Sequence, residues 1–351
     1  MKEMEDLIKK VKVAQQITQK EIVNNGISFC LLDGADCSEK IIKAHSIQNK
    51  NMLAQISDES NHVYAVSHDK DKMFEKKSVN KASTFKGLCG FHDNSIFEYI
   101  DNDLYSKLES NKANFLYAFR AISRELYAKK NVIHKYEALF NKFDTNDIAF
   151  LRKKFPIFNN DDLRSAFGRD SFFRSMIYGN KIAVKELEKT FDHLVTSYKK
   201  CQYDVLKTKV IKIRDKKNIT VSSFFAPEFN SKGDQINDIE NLETALKSVF
   251  LTVIPDENSS YILISYLKKD AKFLKPFTKD LMNLSADDTK VYLERILLTH
   301  CENMYFSEEF INSLDVDQRS RLHTYFLGST LDMNLAEGYS VEKNEIFGMF
   351  I

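Results

Sequence analysis

The sequence predicts an α+β fold, with a small N-terminal module built around soft metal ligands, a long-helix middle, and a C-terminal antiparallel sheet with helices. Three observations predict it. Three of the five cysteines, Cys30, Cys37 and Cys89, fall inside the one stretch from Cys30 to Asp93, with His92 near its end. Apolar residues then recur at helical intervals: Phe115, Phe119, Ile122, Leu126, Ile133, Tyr136 and Phe140. Beyond residue 216 the runs become β-branched and aromatic, at Ile219–Phe229, Ser248–Ile254 and Ser259–Leu267. These changes of pattern divide the chain into residues 1–104, 105–215 and 216–351.

Taken in order, Met4, Leu7, Ile8, Val11, Ala14 and Ile17 give residues 1–22 one apolar helical stripe, and Asn24-Asn25-Gly26 stops it. Ile27–Leu32 is short and apolar, as a strand is, and Asp33-Gly34 is a tight-turn signal. Ile41-Ile42 resumes an extended segment that delivers His45. A short helix is predicted over Gln48–Ile56 and a strand over His62–Val66. The charge density of Ser67–Lys81 predicts an exposed loop. Asp93 or Asn94 has the chemistry of an N-cap for the next helix.

Two long helices follow, over Tyr105–Phe143 and Ala183–Arg214, separated by Pro156 and the Asn159–Asp162 run. Neither buries its stripe alone, so an antiparallel pair is expected. Pro255–Ser260 reads as the turn of a hairpin. Helices return at Leu274–Leu284, at Asp287–His300 with Ser285 as cap, and at Asp317–Phe326 with Asp315 or Asp317 as cap.

Composition excludes several functions. Lys+Arg 51 balances Asp+Glu 50, so the chain has no basic coat and any nucleic-acid contact uses a local patch. Arg120, Arg124, Lys129 and Lys130, with Tyr117 and Tyr127, read as a solvated helix face. Lys207, Lys209, Lys212, Arg214, Lys216 and Lys217 read as the basic end of the second long helix, where they offset its dipole. That run is the better phosphate-contacting surface of the two. The 10 glycines form no phosphate-binding spacing, and no Gly-x-Ser-x-Gly occurs. A P-loop ATPase, a dinucleotide enzyme and the common serine hydrolase are thereby excluded.

No apolar run reaches the ~18 residues of a membrane span, and Met1–Asp6 lacks a signal-peptide core. No membrane partner and a cytoplasmic location are the expectation, with reduced cysteines available for metal. Cys89-x-x-His92 is a zinc half-site, and Cys30 and Cys37 flank the Asp33-Gly34 turn as its natural other half. Burial of Cys30 and Cys89 as small hydrophobes is the bland alternative. His45 has three open roles: fourth ligand in place of Cys30, free base, or hydrogen-bonded structural histidine. Cys301-Glu302-Asn303, after the helix ending at His300, reads as an ordered buried turn.

The order Cys-turn-Cys, strand, histidine, insertion, Leu-Cys-x-x-His, helix resembles the HNH (ββα-metal) endonucleases over about 65 residues of the 351. That resemblance implies a ββα-like module with a structural Zn2+ on Cys30, Cys37, Cys89 and His92. It implies His45 as the water-activating base, and Asp93 where the family places a ligand for catalytic Mg2+ or Mn2+. The substrate implied is DNA or RNA. Ala44 stands where the family has an acidic or histidine metal ligand, the proline after the base is missing, and Asn61 and Asn80 are the candidates for orienting the base. Ala44–Gln48, Gly87–Asp93 and Cys301–Asn303 also look like a family of uncharacterised bacterial proteins, a resemblance that implies a setting in antiphage defence. The alternative is a non-enzymatic zinc-stabilised interaction or sensor protein that binds a protein partner, or a second copy, through its C-terminal part.

Overall fold

The computed structural model of the chain describes residues 10, 13–18, 26–34, 36–38, 40–67, 72–102, 107–214, 218–230, 234–238, 241, 244–331 and 347–350. The chain separates into two compact units, one of residues 1–29 and 126–190, the other of residues 30–125 and 191–351.

The strands are β1 (Ala44–His45), β2 (His62–Val66), β3 (Phe74–Ser78), β4 (Thr84–Phe85), β5 (Leu206–Ile213), β6 (Ile219–Phe225), β7 (Val249–Asp256), β8 (Ser259–Leu267) and β9 (Met304–Phe306). The α-helices are α1 (Gly90–Asp101), α2 (Asn111–Asp144), α3 (Ile148–Lys154), α4 (Asn160–Phe167), α5 (Phe172–Lys199), α6 (Ala271–Asn283), α7 (Ala286–His300), α8 (Glu308–Ser313) and α9 (Val316–Leu331). Mixed helix and antiparallel sheet, with long central helices, is the predicted class.

The first unit is helical. Residues 13–18, the only run of the expected N-terminal stripe among the described residues, are helical and bury Ala14. Its core is phenylalanine-rich: Phe140, Phe155, Phe158, Phe167 and Phe173 pack with Tyr136, Leu139, Leu151 and Leu163. Asn159 starts α4 with a reciprocal capping box to Asp162, so the polar run that breaks the chain also opens the next helix. Within this unit Lys130–Glu188 and Lys181–Glu137 ion pairs join α2 to α5 in antiparallel register.

The second unit holds a seven-stranded antiparallel sheet of order β3-β2-β9-β6-β7-β8-β5, and the two-stranded ribbon β1–β4. Its core joins Val221, Leu251, Val253, Ile262 and Ile264 of the sheet to Leu274, Phe277, Leu293, Leu297, Leu322 and Phe326 of the helices. The β7–β8 hairpin closes with Asp256 opposite Ser259, a two-residue turn inside the predicted segment. Ser285 caps α7 by accepting from the Asp288 N–H. Asp315 and Gln318 exchange bonds at the start of α9, which settles that cap on Asp315.

Four expectations are corrected. Ser67–Lys81 contains β3, which pairs with β2 from His62↔Ser78 to Val66↔Phe74, while residues 68–71 lie outside the described residues. Its lysines mark an edge strand, whose exposed backbone a sheet protects with charge. The second long helix ends at Lys199, and Leu206–Ile213 is β5, the opposite edge, fully paired with β8. There Val210, Ile211 and Ile213 outweigh the helical reading, and Lys207, Lys209 and Lys212 are exposed edge lysines. Lys216 and Lys217 lie outside the described residues. Ile27–Leu32 forms no strand and runs into a turn at Leu31–Leu32. Cys89, not Asp93 or Asn94, occupies the N-cap position of α1.

Candidate metal centre and adjoining polar cluster

The backbone zips residues 31–45 onto residues 84–90. The Leu31 N–H donates to Gly87 O at 2.9 Å, Ile42 N–H to Leu88 O at 3.1 Å, and Gly90 N–H to Lys40 O at 3.2 Å. Ala44 and His45 then pair with Phe85 and Thr84 in the β1–β4 ribbon. Between these contacts, Asp33-Gly34 turns the chain, with Cys37 N–H donating to Gly34 O at 3.0 Å. Cys89 precedes α1 directly, so His92 falls in the helix's first turn beside it.

The result brings together the four residues the spacing singles out. The ligand atoms of Cys30, Cys37, Cys89 and His92 all lie within 4.8 Å of one another. His92 Nδ1 is 3.3 Å from Cys30 Sγ and 3.3 Å from Cys89 Sγ. Tetrahedral zinc, with bonds of about 2.0–2.3 Å, sets ligand separations of roughly 3.3–3.8 Å. The tetrad is therefore close enough, and of the right donor chemistry, to hold one metal ion. Burial and the neighbouring Cys89 and Cys30 sulfurs push the Cys37 thiol up to about 12. Burial also raises Cys89, but bonds from Ser38 and the His92 backbone outweigh it and bring that thiol down to about 6. The Cys89 thiol is thus shifted toward the thiolate and the Cys37 thiol away from it, and a bound cation would favour the thiolate at both.

His45 lies outside the tetrad, which disposes of its fourth-ligand role in this geometry. Its Nε2 is 3.2 Å from Val79 O, a carbonyl that only accepts, so Nε2 carries the proton and Nδ1 is the free basic nitrogen. Burial lowers the His45 pKa; Arg120 pushes the same way, while the Val79 bond and Asp101 oppose. Neither Asn61 nor Asn80 bonds its ring; the Asn80 side chain accepts from Asn49 at 2.8 Å instead.

Asp93 points one carboxylate oxygen, Oδ1, into the interior with no hydrogen-bond partner among the described residues. Burial raises its pKa, against the pull of Arg120, with Asp101 and Cys89 adding to the rise. Arg120 and Asp101 thus act electrostatically on both His45 and Asp93. The Arg120 guanidinium stacks over Phe97 at 4.2 Å and is 4% exposed, so it is no part of a solvated face. Gln48 Nε2 donates to Asp101 O at 2.8 Å. Gln48 Oε1 and Arg120 Nε join Asp93 Oδ1 as buried polar atoms without partners. Such atoms are rare in native interiors, and a concentration of them marks a place that meets water or ligand.

The sequence singles out Cys30, Cys37, Cys89, His92, His45 and Asp93; it misses Gln48 and Asp101, and it reads Arg120 as solvated. Only a polar residue recurring on the apolar stripe of α2, one position after Phe119, could have flagged Arg120.

Asn303 belongs here too. Its Nδ2 donates to Ser46 Oγ at 2.9 Å and to Ser222 O at 2.8 Å, tying the residue after His45 to β6. Cys301–Asn303 is the ordered buried turn the sequence predicts, with Cys301 and Asn303 both buried. A separate cleft of about 740 Å³ is lined by Asp58, Glu59, Glu257, Glu308 and Glu309, and its acidity disfavours a polyanion. Among the described residues, no helix is long and apolar enough to cross a membrane. Compared with family models, curated proteins and solved structures, the chain matches none.

Proposed function

We propose that this chain is a zinc-stabilised protein acting on nucleic acid, with His45 as the general base of an HNH-like phosphodiester hydrolysis. One observation carries the reading. The four-ligand cluster joins Cys30 and Cys37 to the start of α1, and just beyond it His45 of β1 and Asp93 of α1 both feel the charges of Arg120 and Asp101.

In this reading Zn2+ is structural, held by Cys30, Cys37, Cys89 and His92, and supplies folding energy and no chemistry. His45 Nδ1 takes a proton from water as the water oxygen attacks phosphorus, and the P–O bond to the leaving oxygen breaks. Arg120, buried and paired with Asp101, acts on this step only through its field, on His45 and Asp93. A catalytic Mg2+ or Mn2+ would find Asp93 Oδ1 open, but Ala44 offers no donor and Arg120 brings a competing positive charge. The residues do not make a divalent site by themselves.

The test is cleavage of plasmid DNA and of RNA by purified protein, with and without Mg2+ or Mn2+, beside His45→Ala. Loss of cleavage in the variant, at unchanged zinc content, supports the base assignment. Because burial lowers the His45 pKa, the rate should hold at pH values below the ordinary 6.5 of histidine before it falls. The antiphage setting rests on the second resemblance; expression should reduce phage plating, and His45→Ala should restore it.

A non-enzymatic interaction protein is the second reading. It is favoured by Ala44 and by the Val79 bond, which gives His45 a structural task. Stoichiometric zinc with no cleavage of either nucleic acid would select it.

A further inference from the structure

Two lysines share one aromatic ring at the far end of α1. Lys107 Nζ lies 4.5 Å and Lys112 Nζ 4.4 Å from the Tyr99 ring centroid, and Lys112 also lies 5.6 Å from the Tyr203 ring. Lys107 has a local task, donating to Tyr99 O at 3.0 Å and so capping the helix end. Lys112 has none of that kind, and among the described residues neither ammonium has a carboxylate within ion-pairing distance. Two cations held at one ring repel each other, and an anion relieves the repulsion.

The opposite end of the same helix carries an unusual ring. Phe91 is 51% exposed, and its ring meets that of His92 edge-on at 5.4 Å. Positions 91, 95 and 99 follow one another at four-residue steps along one face of α1. Ser95 between them is exposed, and its carbonyl accepts from Tyr198 OH at 3.4 Å. The stripe from Phe91 to Tyr99 spans about 12 Å at 1.5 Å per residue. At the stacked spacing of about 3.4 Å that is on the order of three to four nucleotides, and fewer in an extended strand.

We infer that this stripe of α1 is a docking track for single-stranded nucleic acid. Lys107 and Lys112 hold a phosphate at one end, and an unpaired base stacks on Phe91 beside the metal cluster at the other. The exposed ring decides for a single strand, because a base within a duplex has no free face to offer. The track rests on the nucleic-acid reading above and adds to it the strandedness of the ligand and the surface it follows.

Fluorescence anisotropy with a labelled 20-mer of thymidine and a matched duplex, over a range of salt, tests it on the full chain. The single strand should bind in preference to the duplex. Lys107→Glu with Lys112→Glu should flatten the slope of log K against log salt by about 0.7 per lost phosphate contact. Lys112→Glu alone removes no hydrogen bond to the fold and should give about half that change. Phe91→Ala should weaken binding by roughly ten-fold without changing the slope. A slope and affinity untouched by these changes, in variants that melt like the parent, overturn the track alone, as does preference for the duplex. A parent protein that binds no oligonucleotide overturns the track and the nucleic-acid reading together.

Discussion

Arg120 meets Asp101 at two points, Nη1 to Oδ1 and Nη2 to Oδ2, each at 2.9 Å. The pair is lopsided: the arginine side chain is 4% exposed and the aspartate 37%. Cutting Arg120 to alanine removes the stacking on Phe97 and strands Asp101 and Asp93 without their cation. A fully buried pair broken this way costs about 3–5 kcal/mol; with one partner half in water, about 2 kcal/mol is expected. Arg120→Lys keeps the charge and loses the planar fork, so it should cost less in denaturant melts yet still depress any cleavage. An unchanged unfolding midpoint in Arg120→Ala would show that the pair contributes nothing.

Metal content and stability should move together. Cys89→Ser removes the buried thiol of the proposed zinc tetrad that also starts α1. The variant should hold less than one zinc and melt about 10 °C lower. Chelator should lower the parent's melting temperature toward the same value. Cys201→Ser is the control, since Cys201 is exposed and outside the cluster; it should keep both zinc and melting temperature. A metal-free parent whose melting is indifferent to chelator would sink the zinc assignment.

What the sequence discloses about this region depends on distance along the chain. A Cys-x-x-His before a helix, and cysteines around an Asp-Gly turn, are local patterns legible as two half-sites, and backbone bonds such as Leu31 N–H to Gly87 O join them. The β7–β8 hairpin and the Ser285 cap are legible for the same reason. Arg120 is not: its place on α2 looks like any charged helical position until Asp101 is seen to receive it. Nor is β9, three residues long, which joins β2 to β6 and so puts strands from the N-terminal stretch into the C-terminal sheet. That pairing is set by contacts across more than two hundred residues, which no periodicity records. The helix reading of residues 200–214 failed where lysines, good helix formers, alternate with β-branched residues, and the partner strand β8 decided the outcome.

Asn303 tests the tie between that sheet and the candidate base. Asn303→Ala removes both donors to Ser46 Oγ and Ser222 O, leaving a buried carbonyl unpaired. The expected cost is about 1–3 kcal/mol in chemical unfolding. Any His45-dependent cleavage should fall further than stability alone explains, because Ser46 sets the backbone next to His45. Cleavage and stability both unaltered would separate Asn303 from the site.

Glu294 gives the fold a pH dependence of its own. It is 3% exposed, and its Oε2 and Oε1 accept from the backbone N–H groups of Phe347 at 2.8 Å and Met349 at 2.6 Å. Burial raises its pKa from 4.5 to about 7, although N–H groups of Phe347, Met349, Gly348 and Phe350 oppose the rise. Between those two values the folded chain holds a proton that the unfolded chain has released. Stability is therefore complete below pH 4.5 and falls as pH rises through 7, by about 3 kcal/mol in all. Glu294→Gln keeps one acceptor and cannot ionise, so it should remove this part of the slope between pH 5 and 8. The buried ring of Phe350 and the buried Met349 side chain then become the test of where the energy goes. If releasing residues 347–350 exposes Glu294 to water, protease should cut within them more readily at pH 8 than at pH 5 in the parent, and equally at both in Glu294→Gln. Identical pH slopes in parent and variant would mean that Glu294 ionises in the folded chain as freely as in water.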